Sequence, residues 1–144
     1  MGQSAGTSPP RTFSYLVGIH HSGSPSPTGR GTKGYVAYDI DHRRLVFLKD
    51  YWYAVHKTVH PEADVYRRLQ AAGVQYIATL VAGGDVVDSE GKQETLTRYL
   101  LLDNRRPAVK RHHRLVVKEV GIPLREYQAD SQLMLVVHCA LLGE

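Results

Sequence analysis

Two spacings of apolar residues divide this chain. Short apolar runs bounded by turn-forming residues predict strands at 35–40 and 45–49, joined as a β-hairpin around Asp41-His42-Arg43-Arg44. No Asn-Gly or Asp-Gly pair stands there, so the turn type stays open. Residues 13–19 read as a short strand or an apolar anchor, and 77–82, 98–103 and 114–119 as three further strands. Between these runs lie a loop rich in Gly, Ser and Pro at 21–33, a turn-rich stretch at 83–93 and a basic stretch at 105–113. Residues 1–12 are small, polar and proline-containing, which predicts a disordered leader; the flexible part is taken to reach residue 28.

Helical spacing is clearest at 61–72. Pro61 suits the first helical position, and Glu62 and Asp64 suit the positive end of the helix dipole. Val65, Leu69 and Ala72 fall on one face, and Gly73 follows as a left-handed stop. A short helix is predicted at 123–127. Asp130 can cap a last helix through Leu142 that is apolar almost all round, as in helices buried inside a larger body. Strands, a helix, more strands and then helices predict an α+β fold with one antiparallel sheet and a helix packed on it.

Composition narrows the class. A chain of 144 residues suffices for one domain with one core. With 42% hydrophobic and 22% charged residues, it is not a globally disordered chain. The net charge of +4 permits an anionic ligand without requiring nucleic acid. The single cysteine, Cys139, excludes an internal disulfide and points to a reducing, intracellular compartment, cytoplasmic or nuclear. No apolar run is long enough to span a membrane, and the N-terminus lacks an apolar signal core.

The chemistry centres on Lys49, which closes the run Leu45-Val46-Phe47-Leu48-Lys49-Asp50. A cation at the end of an apolar strand is costly without a partner. Upstream stands Gly29-x-Gly31-x-x-Gly34-x-Val36, and phosphates need the close backbone approach that glycine permits. A dinucleotide fold requires a helix after such a loop. Here the strand-like Tyr35-Val36-Ala37-Tyr38 follows, which favours the nucleotide-gripping half of a kinase. Lys49 would then hold phosphates while paired with a helix carboxylate; the plainer alternative is an edge lysine in solvent. Glu62 and Asp64 lie two apart and face different ways, so only one can meet Lys49.

Other clusters read more plainly. Arg105, Arg106, Lys110, Arg111, His112, His113 and Arg114 predict a solvated loop rather than a polyanion contact, because no aromatic interleaves. His56 and His60 have i, i+4 spacing but run into Pro61, and His20-His21 and His112-His113 have poor ligand spacing, so no metal site is expected. Cys139 reads as buried and inert.

Together these residues resemble the fungal-type protein kinase family, from about Gly29 to the end of the chain. The resemblance is carried by Gly29-Arg30-Gly31-Thr32, Val46-Phe47-Leu48-Lys49-Asp50-Tyr51-Trp52, Asp64-Val65-Tyr66-Arg67-Arg68-Leu69 with Ala72-Gly73-Val74, Thr79-Leu80-Val81-Ala82-Gly83-Gly84-Asp85, and Arg114-Leu115-Val116-Val117-Lys118-Glu119-Val120-Gly121-Ile122-Pro123-Leu124. It implies a small lobe, hinge and start of a large lobe, with ATP as cofactor and phosphorylation of a protein hydroxyl as the parent activity. Gly29, Gly31 and Thr32 would cover the phosphates, with Gly34 and Val36 completing the loop and Lys49 binding them. Asp64 takes the helix position usually held by glutamate. Glu119, Val120 and Gly121 would be the hinge, offering backbone groups to adenine, and 130–142 would begin the central helix of the large lobe. Phe47 stands where a small residue is common, and its ring could fill the adenine pocket. Nothing matches His-Arg-Asp-x-x-x-x-Asn or Asp-Phe-Gly; His113-Arg114-Leu115 has leucine third. Magnesium, expected in a complete domain, therefore finds no ligands, and no catalytic residue is assigned. The chain is expected to be a truncated, inactive kinase lobe. The alternatives are a non-catalytic interaction fragment using the exposed C-terminal helix and, behind it, a basic RNA-binding module.

Overall fold

A computed structural model describes residues 12–23, 31–99 and 108–142. The strands are β1 (Tyr15–Val17), β2 (Ser22–Gly23), β3 (Lys33–Asp39), β4 (Arg44–Ala54), β5 (Leu80–Asp85), β6 (Val87–Asp88), β7 (Gly91–Lys92) and β8 (Lys110–Val117). The α-helices are α1 (Glu62–Ala71) and α2 (Asp130–Leu142), with 3-10 turns at Leu96–Tyr99 and Leu124–Glu126. The main sheet is antiparallel with order β1-β3-β4-β8-β5, β2 also pairing with β3. Strands β6 and β7 form a separate two-stranded ribbon. This is the expected α+β class with an antiparallel sheet and a packed helix.

Side chains alternate across the sheet and build a small core on each face. On one face, Tyr51, Tyr53, Ala63, Leu115 and Val117 are buried together, and α1 covers them. On the other, Ala37, Val46, Leu48 and Val116 are buried, flanked by Tyr15, Tyr35, Val81 and Ala82. The register Phe47↔Val117, Lys49↔Leu115 and Tyr51↔His113 puts these pairs side by side on the α1 face.

The hairpin forms about the predicted turn. Arg43 takes φ 52, and the buried Asp39 carboxylate accepts the His42 N–H at 3.2 Å and the His42 ring Nδ1 at 2.9 Å. Burial pushes the Asp39 pKa up, but the hydrogen bonds from His42 and the charge of Arg44 outweigh it and hold the carboxyl below its ordinary value. Strand β4 runs five residues beyond Lys49, because Tyr51, Trp52 and Tyr53 pair with His113, His112 and Arg111 of β8.

Several expected boundaries move. The strand expected at 77–82 is Leu80–Asp85, so Gly83 and Gly84 belong to a strand rather than a turn. A Cβ on Gly83 would lie 2.6 Å from the Ala63 Cβ, so α1 can seat this closely only over glycine. The strand expected at 114–119 begins at Lys110, and the solvated basic loop is in part an inner strand with His112 and His113 buried. The strand expected at 98–103 opens instead in the Leu96–Tyr99 3-10 turn, and 100–103 lie outside the described residues. Helix α2 spans 130–142 as expected, but no residue in it is buried, and Cys139 is only half-buried. Among the described residues no helix is long and apolar enough to cross a membrane.

Candidate functional site

Register and helix phase assemble the site around Lys49. Gly34 pairs directly with Lys49, and Val36 pairs with Phe47, so the chain leaving the glycine loop runs beside the lysine. Gly31, half-buried, holds φ +54, a conformation that favours glycine; its Cβ position is 3.5 Å from the Trp52 ring. Thr32 is half-buried, and Gly29 lies outside the described residues.

Lys49 Nζ donates to Glu62 Oε2 at 2.6 Å, with each side chain 30% exposed. The pair is therefore neither sealed nor lost in solvent, and one flank of the ammonium remains open to an anion. The lysine also lies over the Tyr51 ring, 5.3 Å from its centroid. Asp64, which the resemblance put in this position, turns away and pairs with Arg67. The reason is helix phase: residues two apart differ by about 200° around the axis. Arg67 is i+3 to Asp64 and so shares its face. Arg67 also donates to the Gly83 carbonyl at 2.7 Å, tying α1 to β5.

Tyr51 was not singled out by sequence reasoning, although its place two residues after Lys49 signals the same sheet face. Its hydroxyl accepts the Glu62 backbone N–H at 2.9 Å. Pro61 at the N-cap provides no side-chain cap, so a tyrosine from the sheet does that work.

The residues that the resemblance makes a hinge, Glu119, Val120 and Gly121, follow the end of β8 at Val117. The Glu119 side chain is committed: it accepts the Thr79 N–H at 2.7 Å and the Thr79 hydroxyl at 2.8 Å. Burial pushes its pKa up, but these bonds outweigh it and hold the carboxyl below its ordinary value. Val120 and Gly121 are exposed. The Phe47 ring packs on the α1-side core, in the same partly buried layer as Tyr66, Ala78 and Leu80.

A second polar network lies farther along the same face. Asp85 accepts from His113 Nδ1 at 2.9 Å, from the Tyr53 hydroxyl at 3.1 Å and from Lys92 Nζ at 2.8 Å. Burial raises its pKa, and the three hydrogen bonds more than reverse that, leaving it below 3.8. On the opposite face His112 pairs with Asp50, stacks on Trp52 at 4.7 Å and meets Gln93 Oε1 at 2.8 Å. Arg111 pairs with Glu94 at 2.7 Å, and Arg114 approaches Asp50 at 3.6 Å. The described part of the basic cluster is thus largely matched by carboxylates, while Arg105 and Arg106 lie outside the described residues.

A cavity of about 730 Å³ opens on the face opposite Lys49, between Tyr15, Tyr35, Leu48, Ala82 and Val116. None of Lys49, Glu62, Val36 or Glu119 lines it. Its walls are more apolar than polar; the cation that lines it, Arg114, is 3.6 Å from Asp50 there, and Asp85 adds a second carboxylate, whereas the Lys49–Glu62 pair lies on the α1 face. Among the described residues no cluster of three or more His, Cys, Asp or Glu could hold a metal ion. No family model matches the chain, and neither curated proteins nor solved structures give a match.

Proposed function

We propose that this domain binds a nucleotide, ATP, in the manner of the small lobe of a fungal-type protein kinase, and that these 144 residues do not themselves transfer phosphate. The observation that carries the reading is the Lys49–Glu62 contact at 2.6 Å. Kinases hold the α- and β-phosphates with a strand lysine paired to a carboxylate of the packed helix, and here that carboxylate is Glu62, at the helix start, rather than Asp64. In this role Glu62 keeps Lys49 extended along the sheet, and Lys49 offers its remaining hydrogens to phosphate oxygens. Gly34 lies directly across the ladder from Lys49 and leaves the backbone there open to a phosphate, whereas Gly31 sits against Trp52 of the opposite face and serves the conformation of the loop. Val36 provides an apolar wall, with Val120 and Gly121 offering backbone groups to a base. The side chains of Asp64 and Glu119 have no part in nucleotide binding here, because Arg67 and Thr79 hold them. Magnesium would arrive with the nucleotide and be held by its phosphates, since no catalytic-loop or Asp-Phe-Gly sequence occurs to hold it otherwise.

The test is a thermal melt with and without ATP, repeated with magnesium. At 100 times its dissociation constant, a ligand adds about 2.7 kcal/mol to the native state. Wild type and Asp64→Asn are expected to be stabilised alike. Lys49→Ala is expected to lose the effect, and Glu62→Gln to lose most of it. Equal stabilisation of Lys49→Ala and wild type sinks the proposal.

A protein-interaction module is the second reading, favoured by α2. Met134 is 70% exposed, Leu141 65% and Leu135 61%, so one helix presents several large apolar side chains to solvent, as an interaction surface does. Concentration-dependent association in sedimentation, abolished by Leu135→Lys with Leu141→Lys, supports it; a monomer at every concentration counts against it.

A further inference from the structure

Tyr51 touches both members of the central ion pair by different atoms. Its ring lies under the Lys49 ammonium at 5.3 Å, and its hydroxyl holds the backbone of Glu62 at 2.9 Å. The residue is 3% exposed and wedged against His113, whose ring lies 5.4 Å away and is itself fixed by Asp85. We infer that Tyr51 is the positioning residue of the Lys49–Glu62 pair: it fixes the helix end from which the carboxylate projects and the surface along which the lysine extends. Its consequence for ligand affinity rests on the nucleotide reading above; its effect on the pair does not.

The argument is one of freedom. A lysine–glutamate pair joins two long side chains whose rotamer entropy opposes a single geometry. Two devices reduce that freedom here. The aromatic face attracts the ammonium and confines the lysine stem to one side. The hydroxyl satisfies an N–H at the start of α1 that Pro61 cannot cap, so the first turn does not fray and Glu62 keeps its place. Both devices belong to one rigid side chain anchored in the central strand. Phenylalanine at this position keeps the first device and deletes the second.

The experiment uses lysine labelled with ¹³C at Cε in wild type, Tyr51→Phe and Glu62→Gln, with ATP affinity measured on the same samples. The Lys49 signal of Tyr51→Phe is expected to move toward that of Glu62→Gln, while the Lys92 signal stays. ATP affinity is expected to fall about five- to tenfold, the loss of one hydrogen bond that orders the site. A lower melting temperature with an unmoved Lys49 signal overturns the inference, since a merely structural tyrosine behaves so. If wild type shows no ATP affinity but the Lys49 signal moves as stated, the nucleotide reading fails and the positioning role stands. Should Tyr51→Phe not fold, hydrogen exchange of the Glu62 amide in wild type decides: slow exchange supports the cap, and exchange as fast as in an exposed loop refutes it.

Discussion

Gly83→Ala tests the seating of α1 with one methyl group. The added Cβ would lie 2.6 Å from the Ala63 Cβ and 3.4 Å from a Leu115 methyl. Carbon atoms rest at about 3.5–4.0 Å, so roughly 1 Å must open. Leu115 can yield by rotation, but the Ala63 methyl is fixed to the backbone of α1, and Ala63 is 0% exposed. The first turn of the helix therefore has to lift. Overpacking of this kind costs about 1–3 kcal/mol. Removing a glycine from the unfolded chain returns about 0.4–1 kcal/mol. The net expectation is a loss of about 1–2 kcal/mol, which for a chain of this size lowers Tm by about 3–8 °C. Urea denaturation with an unchanged slope measures it. Gly84→Ala is the control, because nothing lies within 4 Å of a Cβ there. Ala63→Gly combined with Gly83→Ala should cost less than the sum of the two single changes. A Gly83→Ala protein as stable as wild type, or a Gly84→Ala protein equally damaged, refutes the reasoning.

Two further outcomes concern the rest of the core. Asp85 has its pKa depressed in the folded protein, so its contribution is fully present above the ordinary value of 3.8 and disappears as pH falls through the lower folded value. Asp85→Asn should therefore lower stability near neutral pH and flatten the acid limb below about pH 4, measured as urea midpoints against pH; a superimposable acid limb contradicts this. Phe47→Ala should cost about 2 kcal/mol, below the range for a fully buried phenylalanine, because Phe47 is only half-buried. Urea denaturation measures it, and a loss near zero would contradict the packing of the ring on the α1-side core.

Much of the fold was legible because local signals and the fold agreed. Helix α1 shows its acidic first turn and its Gly73 stop, at φ +71, in the sequence itself. Helix α2 has the bounds its apolar run announces. The errors have a common cause. Gly83-Gly84 reads as a turn because glycine usually breaks strands, yet here glycine is the residue that lets a helix approach a strand. Lys110 to His113 reads as a solvated loop because charge usually marks the surface. The partners that make it an inner strand, Asp50, Asp85 and Glu94, lie 17 to 62 residues away.

The candidate site divides in the same way. The sequence by itself determined that a lysine ends an apolar run, that glycines precede it and that two carboxylates open the following helix. It also determined that Glu62 and Asp64 cannot both face that lysine, because helical spacing alone separates them. Which of the two does so was decided by the tertiary structure, through the phase at which α1 sits on the sheet. That phase is set by the Ala63–Gly83 contact, the Tyr51 hydroxyl and the Arg67–Gly83 bond. Each joins residues 11 to 20 positions apart or spans two elements, and no local pattern of residues encodes such a meeting.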